Sequence, residues 1–221
     1  MPLSRWAAVV TAAGASTRMG GTKKEFRSLD GVPVLALAVR PFLAGARRVV
    51  VTLPPGRLSE AAALLEAHLD LSAIALVEGG ATRQESVRRA LLALADDPPD
   101  LVLIHDGARP WLSARLLARV LVATERHDAC VPVLEASEAV KEIEAAFVRR
   151  HLPRHAIALA QTPQGFAYRG ILAAHEKAHA EGLSFVDDAE VYARFAGPVA
   201  WVPGDSANRK ITFVEDLEEG A

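Results

Sequence analysis

The stretch that decides the fold is residues 8–26, AVVTAAGASTRMGGTKKEF. Its apolar start, Ala8-Val9-Val10, predicts a buried strand that ends at Thr11. The residues that follow have almost no side-chain bulk, so their backbone N–H groups can come close to a ligand. These small residues are Ala12, Ala13, Gly14, Ala15 and Ser16, and the cations Arg18, Lys23 and Lys24 come after them. N–H donors followed by positive charge are what a polyphosphate needs, although an ordinary strand-to-helix loop with surface cations has the same pattern.

Outward from this stretch, apolar β-branched runs alternate with amphipathic segments. The apolar runs predict strands at residues 6–11, 48–53, 72–77, 101–105, 129–134, 156–160 and 199–202. The amphipathic segments predict helices at residues 33–43, 58–68, 84–95, 113–125, 168–181 and 187–195. Ser59 and Ser113 are the expected helix caps. This alternation predicts an α/β fold, a Rossmann-like three-layer sandwich whose mostly parallel sheet is covered on both faces.

In such sheets, ligands bind beyond the carboxyl ends of the parallel strands. We therefore expect the loops at residues 12–24, 78–85 and 106–110 to meet at one rim of the sheet. A candidate site at this rim would combine the small-residue loop with the cations and carboxylates of the other two loops.

Residues 135–155, EASEAVKEIEAAFVRRHLPRH, interrupt the alternation because they are charge-dense and contain only isolated apolar side chains. Helix propensity slightly favours a short surface helix. The segment could instead be a projecting β-hairpin whose thin apolar face needs a partner, because an isolated two-stranded hairpin is marginal in water.

Composition limits the classes of function. The chain has 221 residues, which suits one large α/β domain or one domain with an appendage. A net charge of −2 gives no sign of general affinity for nucleic acids or membranes, and no run approaches the ~18 apolar residues of a membrane span. Cys130 is the only cysteine, which excludes an internal disulfide and predicts a cytoplasmic protein.

Seven segments, in order along the chain, give the sequence a specific resemblance. They are AAGASTRMGGTKKEF at 12–26, LDGVPVLALAV at 29–39, EGGATRQESV at 78–87, HDGARP at 105–110, LPRHAIALAQTPQGF at 152–166, FVDDAEV at 185–191 and NRKIT at 208–212. Together they resemble the 2-C-methyl-D-erythritol 4-phosphate cytidylyltransferases of the non-mevalonate isoprenoid pathway. The first segment alone would indicate only a nucleotidyltransferase.

The resemblance implies a single nucleotidyltransferase domain over residues 1–221 that takes CTP and a phosphorylated polyol. The phosphate of methylerythritol phosphate would attack the α-phosphorus of CTP and displace pyrophosphate. The nucleophile is already anionic, so no general base is required, and cations with Mg²⁺ or another divalent cation should dominate the site.

The resemblance also assigns roles to individual residues. Arg18 and Lys24 match the two loop cations that stabilise the transition state. Arg154 and Lys210 match the two cations that position the substrate phosphate. The residues implied in nucleotide binding are Ala12, Ala13, Gly14, Ala15, Gly80 and Ser86.

Asp106 follows an apolar strand, where a carboxylate can hold Mg²⁺ with waters and phosphate oxygens or can simply cap a helix. Arg109 is close enough in sequence to touch substrate phosphate or to pair with Asp106. Arg154 lies at the base of residues 135–155, so the resemblance favours a hairpin arm that is exchanged between the subunits of a homodimer.

Several neighbouring residues are expected to have no chemical role. Lys23 should be solvated, His105 should be packed or hydrogen-bonded at a strand end, and Asp187 and Asp188 suit a helix start. Arg88 and Arg89 are expected on the solvated face of a helix, whereas for Arg83 that assignment stays open.

The sequence departs from the family pattern at three places. Thr11 stands where related chains often have proline, and Arg209 replaces an apolar residue. The arm usually begins with Asp-Thr-x-Lys, but here the run is Glu138-Ala139-Val140-Lys141, so the threonine hydroxyl is absent unless Ser137 substitutes for it. Three alternatives therefore stay open: a cytidylyltransferase for another polyol phosphate such as ribitol 5-phosphate, a sugar-1-phosphate nucleotidyltransferase, and a non-catalytic nucleotide-binding module.

Overall fold

A computed structural model describes residues 4–14, 23–213 and 215–218 of the chain. The strands are β1 Trp6–Thr11, β2 Ser28–Leu29, β3 Val32–Pro33, β4 Val49–Leu53, β5 Ile74–Glu78, β6 Leu101–Asp106, β7 Ala129–Glu135, β8 Lys141–Glu144, β9 Phe147–His151, β10 Ala158–Ala160, β11 Gln164–Ala167 and β12 Ala200–Pro203. The helices are α1 Val34–Leu43, α2 Leu58–Glu66, α3 Arg83–Leu92, α4 Ala114–His127, α5 Tyr168–Ala180, α6 Asp188–Phe195 and α7 Glu215–Glu218. Short 3₁₀ turns cover Lys24–Phe26, Leu71–Ala73 and Arg154–Ala156.

Within the described residues, eight strands form the central sheet, in the order β10-β7-β11-β6-β1-β4-β5, with β12 also paired to β7. Strands β1, β4, β5 and β6 are parallel to one another, and β12 is parallel to β7. Within this sheet, β10 and β11 run antiparallel to their neighbours. Val133 of β7 pairs with Ala160 of β10 and with Pro203 of β12, so these two strands flank β7 on opposite edges. The predicted α/β sandwich with a mostly parallel sheet is confirmed.

Each sheet face carries its own hydrophobic core, because successive strand residues point to opposite sides. Ala8 and Val10 of β1 pack in the cluster with residues of α1, α2 and α4. Ala7 and Val9 pack in the cluster with residues of α3, α5 and α6. The continuous apolar strands of the sequence therefore reflect burial on both faces, as expected for a parallel sheet between helices.

Most predicted elements are found within one to three residues of their expected bounds. Ser113 caps α4 by accepting a hydrogen bond from the Leu116 N–H. The prediction for Ser59 is wrong, because α2 begins one residue earlier, at Leu58, and the residue before it, Arg57, makes no side-chain cap.

Strand β11 is absent from the sequence prediction. Its residues, Gln164–Ala167, contain a glycine and show no alternation, and the strand forms because both of its edges pair with longer strands, β6 and β7. Gly165 is required there, because a Cβ atom would collide with the Thr124 side chain of α4.

Residues 141–151 form a β-hairpin, β8–β9, and not the surface helix that helix propensity favours. Ala145 takes the left-handed conformation in the turn, with φ 51°. The apolar side chains Ile143, Phe147 and Val148 are exposed. We call residues 135–155 the arm, because the β8–β9 hairpin makes up most of this segment.

Among the described residues, none of the helices combines the length and the apolar character that crossing a membrane requires. Cys130 is buried in β7, and burial raises the pKa of its thiol to about 11, so the side chain behaves as a small apolar group.

Candidate active site

In the part of the chain that the structure describes, the loops that follow β1, β5 and β6 meet at the carboxyl ends of these strands. This meeting agrees with the prediction. The Gly107 N–H donates to the Thr11 carbonyl at 2.9 Å, and the Gly79 N–H donates to the Leu53 carbonyl at 2.8 Å. The Ala12 N–H donates to the Thr52 carbonyl at 2.9 Å, which continues the parallel pairing one residue beyond β1. These bonds hold three loops from three different strands at one rim.

The loop after β1 and helix α3 approach each other closely at Gly79. A Cβ atom at this position would collide with the Ala13 side chain and would lie 2.7 Å from Ser86 Oγ. Gly79 therefore allows the small-residue loop after β1 to lie directly against the start of α3.

The start of α3 is a tightly bonded turn. Thr82 caps the helix by accepting from the Glu85 N–H at 3.0 Å. Ser86 is buried, and its hydroxyl accepts from the Gly80 N–H at 3.1 Å and donates to the Thr82 carbonyl at 2.8 Å. Gly80 and Ser86, both predicted in nucleotide binding, thus hold the shape of the loop.

Three cations converge on Asp106, which is the last residue of β6 and is buried. The Lys210 ammonium lies 2.9 Å from Asp106 Oδ2, and the Arg109 Nε lies 3.3 Å from the same oxygen. The Arg83 Nε lies 3.5 Å from the other oxygen, Oδ1. Three segments distant in sequence therefore place positive charge around one carboxylate.

The surrounding charge controls the ionisation of Asp106. Burial alone would raise the pKa of this carboxyl, but Lys210, Arg83 and Arg109 more than offset it and hold the pKa well below its usual range. Asp106 is therefore an anion at any physiological pH. It serves as the common counter-ion of the three cations and does not cap a helix.

Arg83 links this cluster to the start of α6. Its Nη1 lies 2.8 Å from Asp188 Oδ2, and His175 Nε2 of α5 lies 3.1 Å from Asp188 Oδ1. Both Asp188 and His175 are buried. Burial would raise the pKa of Asp188, but Arg83 and His175 lower it. Asp187 caps α6 through the Glu190 N–H, as the expectation of a helix start implies, whereas Asp188 has a second role as a buried partner of Arg83.

A hydrogen-bond network behind Asp106 fixes the chain around it. Thr162 Oγ1 accepts from the Asp106 N–H at 3.0 Å and lies 3.0 Å from His105 Nδ1. His105 Nε2 lies 3.1 Å from the Arg109 carbonyl, which can only accept, so Nε2 carries the proton and Nδ1 accepts from Thr162. Burial lowers the pKa of His105 to about 4, which keeps the ring neutral. The expectation of a hydrogen-bonded strand-end histidine is confirmed.

The NRKIT segment is attached to the same network. Asn208 donates from Nδ2 to the Thr162 carbonyl at 2.7 Å, and Arg109 Nη1 donates to the Asn208 carbonyl at 2.8 Å. The Ile211 N–H donates to the Ala108 carbonyl at 2.9 Å. Lys210 lies between these two anchored residues, which places its ammonium beside Asp106.

The two neighbouring lysines of the first loop are both buried. Lys23 was expected to be solvated, and that expectation is wrong: its ammonium donates to the Ala12 carbonyl at 2.8 Å and to the Gly14 carbonyl, and lies 3.6 Å from the Glu25 carboxylate. The carbonyls at the end of β1 need donors, and Lys23 supplies them. Lys24 donates to the Ile211 carbonyl at 2.7 Å, one residue from Lys210.

The remaining predicted residues lie elsewhere or outside the description. Arg18 and Ala15 lie outside the described residues. Arg154 is exposed at the base of the arm and donates to the Ser137 carbonyl at 3.2 Å. On α3, Arg89 is exposed as expected, while Arg88 is partly buried by its ion pairs with Glu85 and Glu176.

Sequence reasoning missed two contributors to the site, Asp188 and Thr162, and left Arg83 undecided. The signal for Arg83 in the sequence is its place in the segment EGGATRQESV, whereas its position at the first residue of α3, where a cation opposes the helix dipole, comes from the structure. Nothing local marks Thr162, because its partners His105 and Asp106 are more than 50 residues away.

The chain matches a known family over almost its whole length. The family described as "IspD: 2-C-methyl-D-erythritol 4-phosphate cytidylyltransferase" matches residues 6–220. The chain is 44% identical over 213 residues to the bifunctional enzyme IspD/IspF of Rhodobacter capsulatus, which covers 96% of this chain and 54% of that protein. It is 41% identical over 221 residues to the enzyme of the same name from Novosphingobium aromaticivorans, covering 99% of this chain and 56% of that protein. The chain spans about half the length of these curated relatives.

Solved structures agree with this match. The crystal structure of 2-C-methyl-D-erythritol 4-phosphate cytidylyltransferase from Thermus thermophilus is 37% identical with a TM-score of 0.78, covering 96% of this chain and 95% of that one. The 4-diphosphocytidyl-2C-methyl-D-erythritol synthase of Anaerococcus prevotii is 27% identical with a TM-score of 0.85, covering 98% and 94%. The protein belongs to the 2-C-methyl-D-erythritol 4-phosphate cytidylyltransferase family.

Proposed function

We propose that this protein transfers CMP from CTP to 2-C-methyl-D-erythritol 4-phosphate and releases pyrophosphate. The observation that carries the proposal is the convergence of Lys210, Arg109 and Arg83 on Asp106 beside the small-residue loop. The matching family and the solved structure of the Thermus thermophilus enzyme support the same reaction. The product is 4-diphosphocytidyl-2-C-methyl-D-erythritol, an intermediate of isoprenoid precursor biosynthesis.

The chemistry requires placement and charge more than proton transfer. A phosphate oxygen of the acceptor forms a bond to the α-phosphorus of CTP, the bond from that phosphorus to the bridging oxygen of the β-phosphate breaks, and pyrophosphate leaves with the electron pair. Both reacting groups are anionic, so the site must bring like charges together and stabilise charge on the transferring phosphorus. Buried and partly buried cations do this more effectively than solvated ones, because the surrounding dielectric is lower.

Different cations would serve the two substrates. Lys210 and Arg109 are already held at the rim by Asp106, and we assign them to the acceptor phosphate. Lys24 and Arg18 are assigned to the triphosphate, with Arg18 lying outside the described residues. The backbone of Ala12, Ala13, Gly14 and Ala15, with Gly80 and Ser86 behind it, would hold the nucleotide.

Asp106 is the proposed protein ligand of Mg²⁺ or another divalent cation. Within the described ranges, no group of three or more His, Cys, Asp and Glu side chains could hold a metal ion, so most ligands would be phosphate oxygens and waters, as Mg²⁺ prefers. Asp106 fits this chemistry, because its carboxylate is ionised and its Oδ2 would become available to a cation if Lys210 turned to a phosphate. When bound, the metal would neutralise charge on the triphosphate.

The arm is proposed to exchange between the two subunits of a homodimer, so that each site receives Arg154 from the partner subunit. The exposed Ile143, Phe147 and Val148 support this, because three large apolar side chains on a two-stranded hairpin need a covering surface.

Ala139 lacks the hydroxyl that the family pattern has at this position, which would remove one hydrogen bond to the acceptor, worth about 0.5–1.5 kcal/mol.

We further propose that residues 1–221 form one nucleotidyltransferase domain that works in the cytoplasm. The continuous match of one family over residues 6–220 supports a single domain. The single, buried cysteine supports a reducing compartment.

Pyrophosphate release with CTP and Mg²⁺ tests the proposal against a panel of methylerythritol phosphate, ribitol 5-phosphate and sugar 1-phosphates. Methylerythritol phosphate should give the highest kcat/KM. A strong preference for ribitol 5-phosphate would replace the proposed acceptor. Nucleotide binding without turnover of any acceptor would support a binding module.

Replacing Arg154 with alanine tests the role of the arm. Arg154→Ala should raise the KM for the acceptor or lower kcat and leave CTP binding nearly intact. Arg149→Ala is the matched control, because Arg149 is an exposed arginine of the same arm that pairs only with Glu142 and Glu144 among the ion pairs described. An equal loss of CTP affinity in Arg154→Ala would mean that the residue has been placed wrongly.

A further inference from the structure

We propose that Arg83 is a positioning residue of this enzyme: it fixes the rotation of the Asp106 carboxylate, and through it the positions of Lys210 and Arg109. The kinetic part of this inference rests on the proposed function, because it concerns the same acceptor site. The structural part depends only on the contacts of the described residues.

The two oxygens of Asp106 face different partners. Oδ2 faces Lys210 at 2.9 Å and Arg109 at 3.3 Å, whereas Oδ1 faces Arg83 at 3.5 Å. A carboxylate held at one oxygen only can rotate about its terminal torsion, since this torsion is broad. Arg83 therefore supplies the second point that defines the plane of the group.

Arg83 can act as a fixed point because its own position is fixed from the other side. Its Nη1 lies 2.8 Å from Asp188, which is almost fully buried and is held in turn by His175 at 3.1 Å. An arginine fork can contact two carboxylates at once, which a lysine ammonium does less well. The chain His175–Asp188–Arg83–Asp106 thus connects α5 and α6 to the end of β6.

The placement of Arg83 is costly without these partners. A cation at the first residue of a helix opposes the helix dipole, and the partial burial of the Arg83 side chain, which is 31% exposed, adds a desolvation cost. Burial would lower the pKa of Arg83, but Asp188 and Asp106 more than offset it and raise the pKa above its usual range. The start of α3 does not depend on Arg83, because Thr82 caps it.

Another arginine of α3 provides the matched control. Arg88 connects α3 to α5 through Glu176 at 2.9 Å and pairs with Glu85 at 2.8 Å, so it is an interhelical ion pair of the same kind. It has no described contact with Asp106. A merely structural role for Arg83 predicts that Arg83→Gln and Arg88→Gln behave alike.

The experiment compares Arg83→Gln, Arg83→Lys and Arg88→Gln by kinetics at a temperature well below their melting points. Arg83→Gln should lower kcat/KM for the acceptor by about 10- to 100-fold, the size of loss that small misplacements of catalytic groups cause. Arg83→Lys should recover part of the loss, and Arg88→Gln should retain wild-type kinetics. Asp188→Asn should repeat the effect of Arg83→Gln. The double variant Arg83→Gln/Asp188→Asn should lose little more kcat/KM than either single variant.

Crystal structures of Arg83→Gln and Arg88→Gln complete the test and do not depend on the acceptor. In Arg83→Gln the Asp106 carboxylate should rotate, and the Lys210–Asp106 pair should lengthen or break. If wild-type enzyme prefers another polyol phosphate, the proposed function is wrong, and the comparison is then made with that acceptor. If Arg83→Gln keeps the geometry of Asp106 and matches Arg88→Gln in kcat/KM, the positioning role is wrong.

Discussion

The cluster around Asp106 and the arm contain the same kinds of charged side chains in opposite surroundings. In the cluster, the side chains of Asp106 and Arg109 are 9% and 11% exposed. In the arm, Arg149 and Arg150 pair with Glu142 and are 61% and 69% exposed. Water screens the arm pairs, whereas the cluster pairs act in a lower dielectric. The difference shows that burial, and not the number of ion pairs, decides how strongly the charged side chains of this molecule interact.

The largest expected effect comes from removing the carboxylate at the centre of the cluster. Asp106→Asn keeps the size of the side chain but leaves three cations without their common counter-ion. We expect kcat/KM to fall by about 10²- to 10³-fold, as losses of electrostatic stabilisation in active sites typically do. Steady-state kinetics with CTP and methylerythritol phosphate measure it.

Asp97→Asn is the control for that variant. Asp97 also pairs with arginine, at 2.6 Å from Arg47, but its side chain is 58% exposed. The kcat/KM of Asp97→Asn should equal that of the wild type. A similar loss in both variants would contradict the distinction between buried and exposed pairs.

The close approach at Gly79 gives the next largest effect. In Gly79→Ala the new methyl group meets Ala13 and Ser86, so the loop after β1 or the start of α3 must shift. We expect a destabilisation of about 1–3 kcal/mol, with weaker CTP binding. Denaturant unfolding and calorimetric titration measure the two effects. Gly197→Ala is the control, because nothing lies within 4 Å of the added Cβ atom.

The charges of α3 predict a pH dependence of stability. Hydrogen bonds from Arg88 and Arg89 lower the pKa of Glu85 to about 2, from the ordinary glutamate value of 4.5. A depressed carboxyl pKa stabilises the fold above about pH 4.5, and this stabilisation disappears as the pH falls through about 2. The stability difference between wild type and Glu85→Gln, about 1–2 kcal/mol after allowance for partial exposure, should therefore shrink over that window. A difference that stays constant from pH 5 to pH 2 would contradict the pairing.

The smallest effect is expected in the arm. Glu142→Gln removes two exposed ion pairs, with Arg149 and Arg150, and should change the free energy of unfolding by about 0–1 kcal/mol. Denaturant unfolding measures it. A loss above about 2 kcal/mol would contradict the assignment of these pairs to the solvated side of the arm.

Local patterns were sufficient for most of the fold. The strand at residues 6–11 and its parallel neighbours follow from apolar runs, and the meeting of the loops after β1, β5 and β6 at one rim follows from the rule for parallel sheets. The hairpin was ambiguous, because its helix propensity and its β-pairing compete, and β11 was invisible, because it depends on pairing with two distant strands. Lys23 and Lys24 are adjacent in sequence, yet the loop geometry buries both and gives each a different carbonyl partner.

By itself, the sequence determined the class of fold, the rim where the three loops meet and the resemblance to the family, because these depend on periodicity and on short motifs. Only the tertiary structure decided which charges meet. Arg83, Asp106, Asp188 and Lys210 are far apart along the chain, and the folding of the sheet and of α3, α5 and α6 brings them together. Electrostatic contacts of this kind depend on the distance between the charges and on their burial, and the local order of residues determines neither quantity.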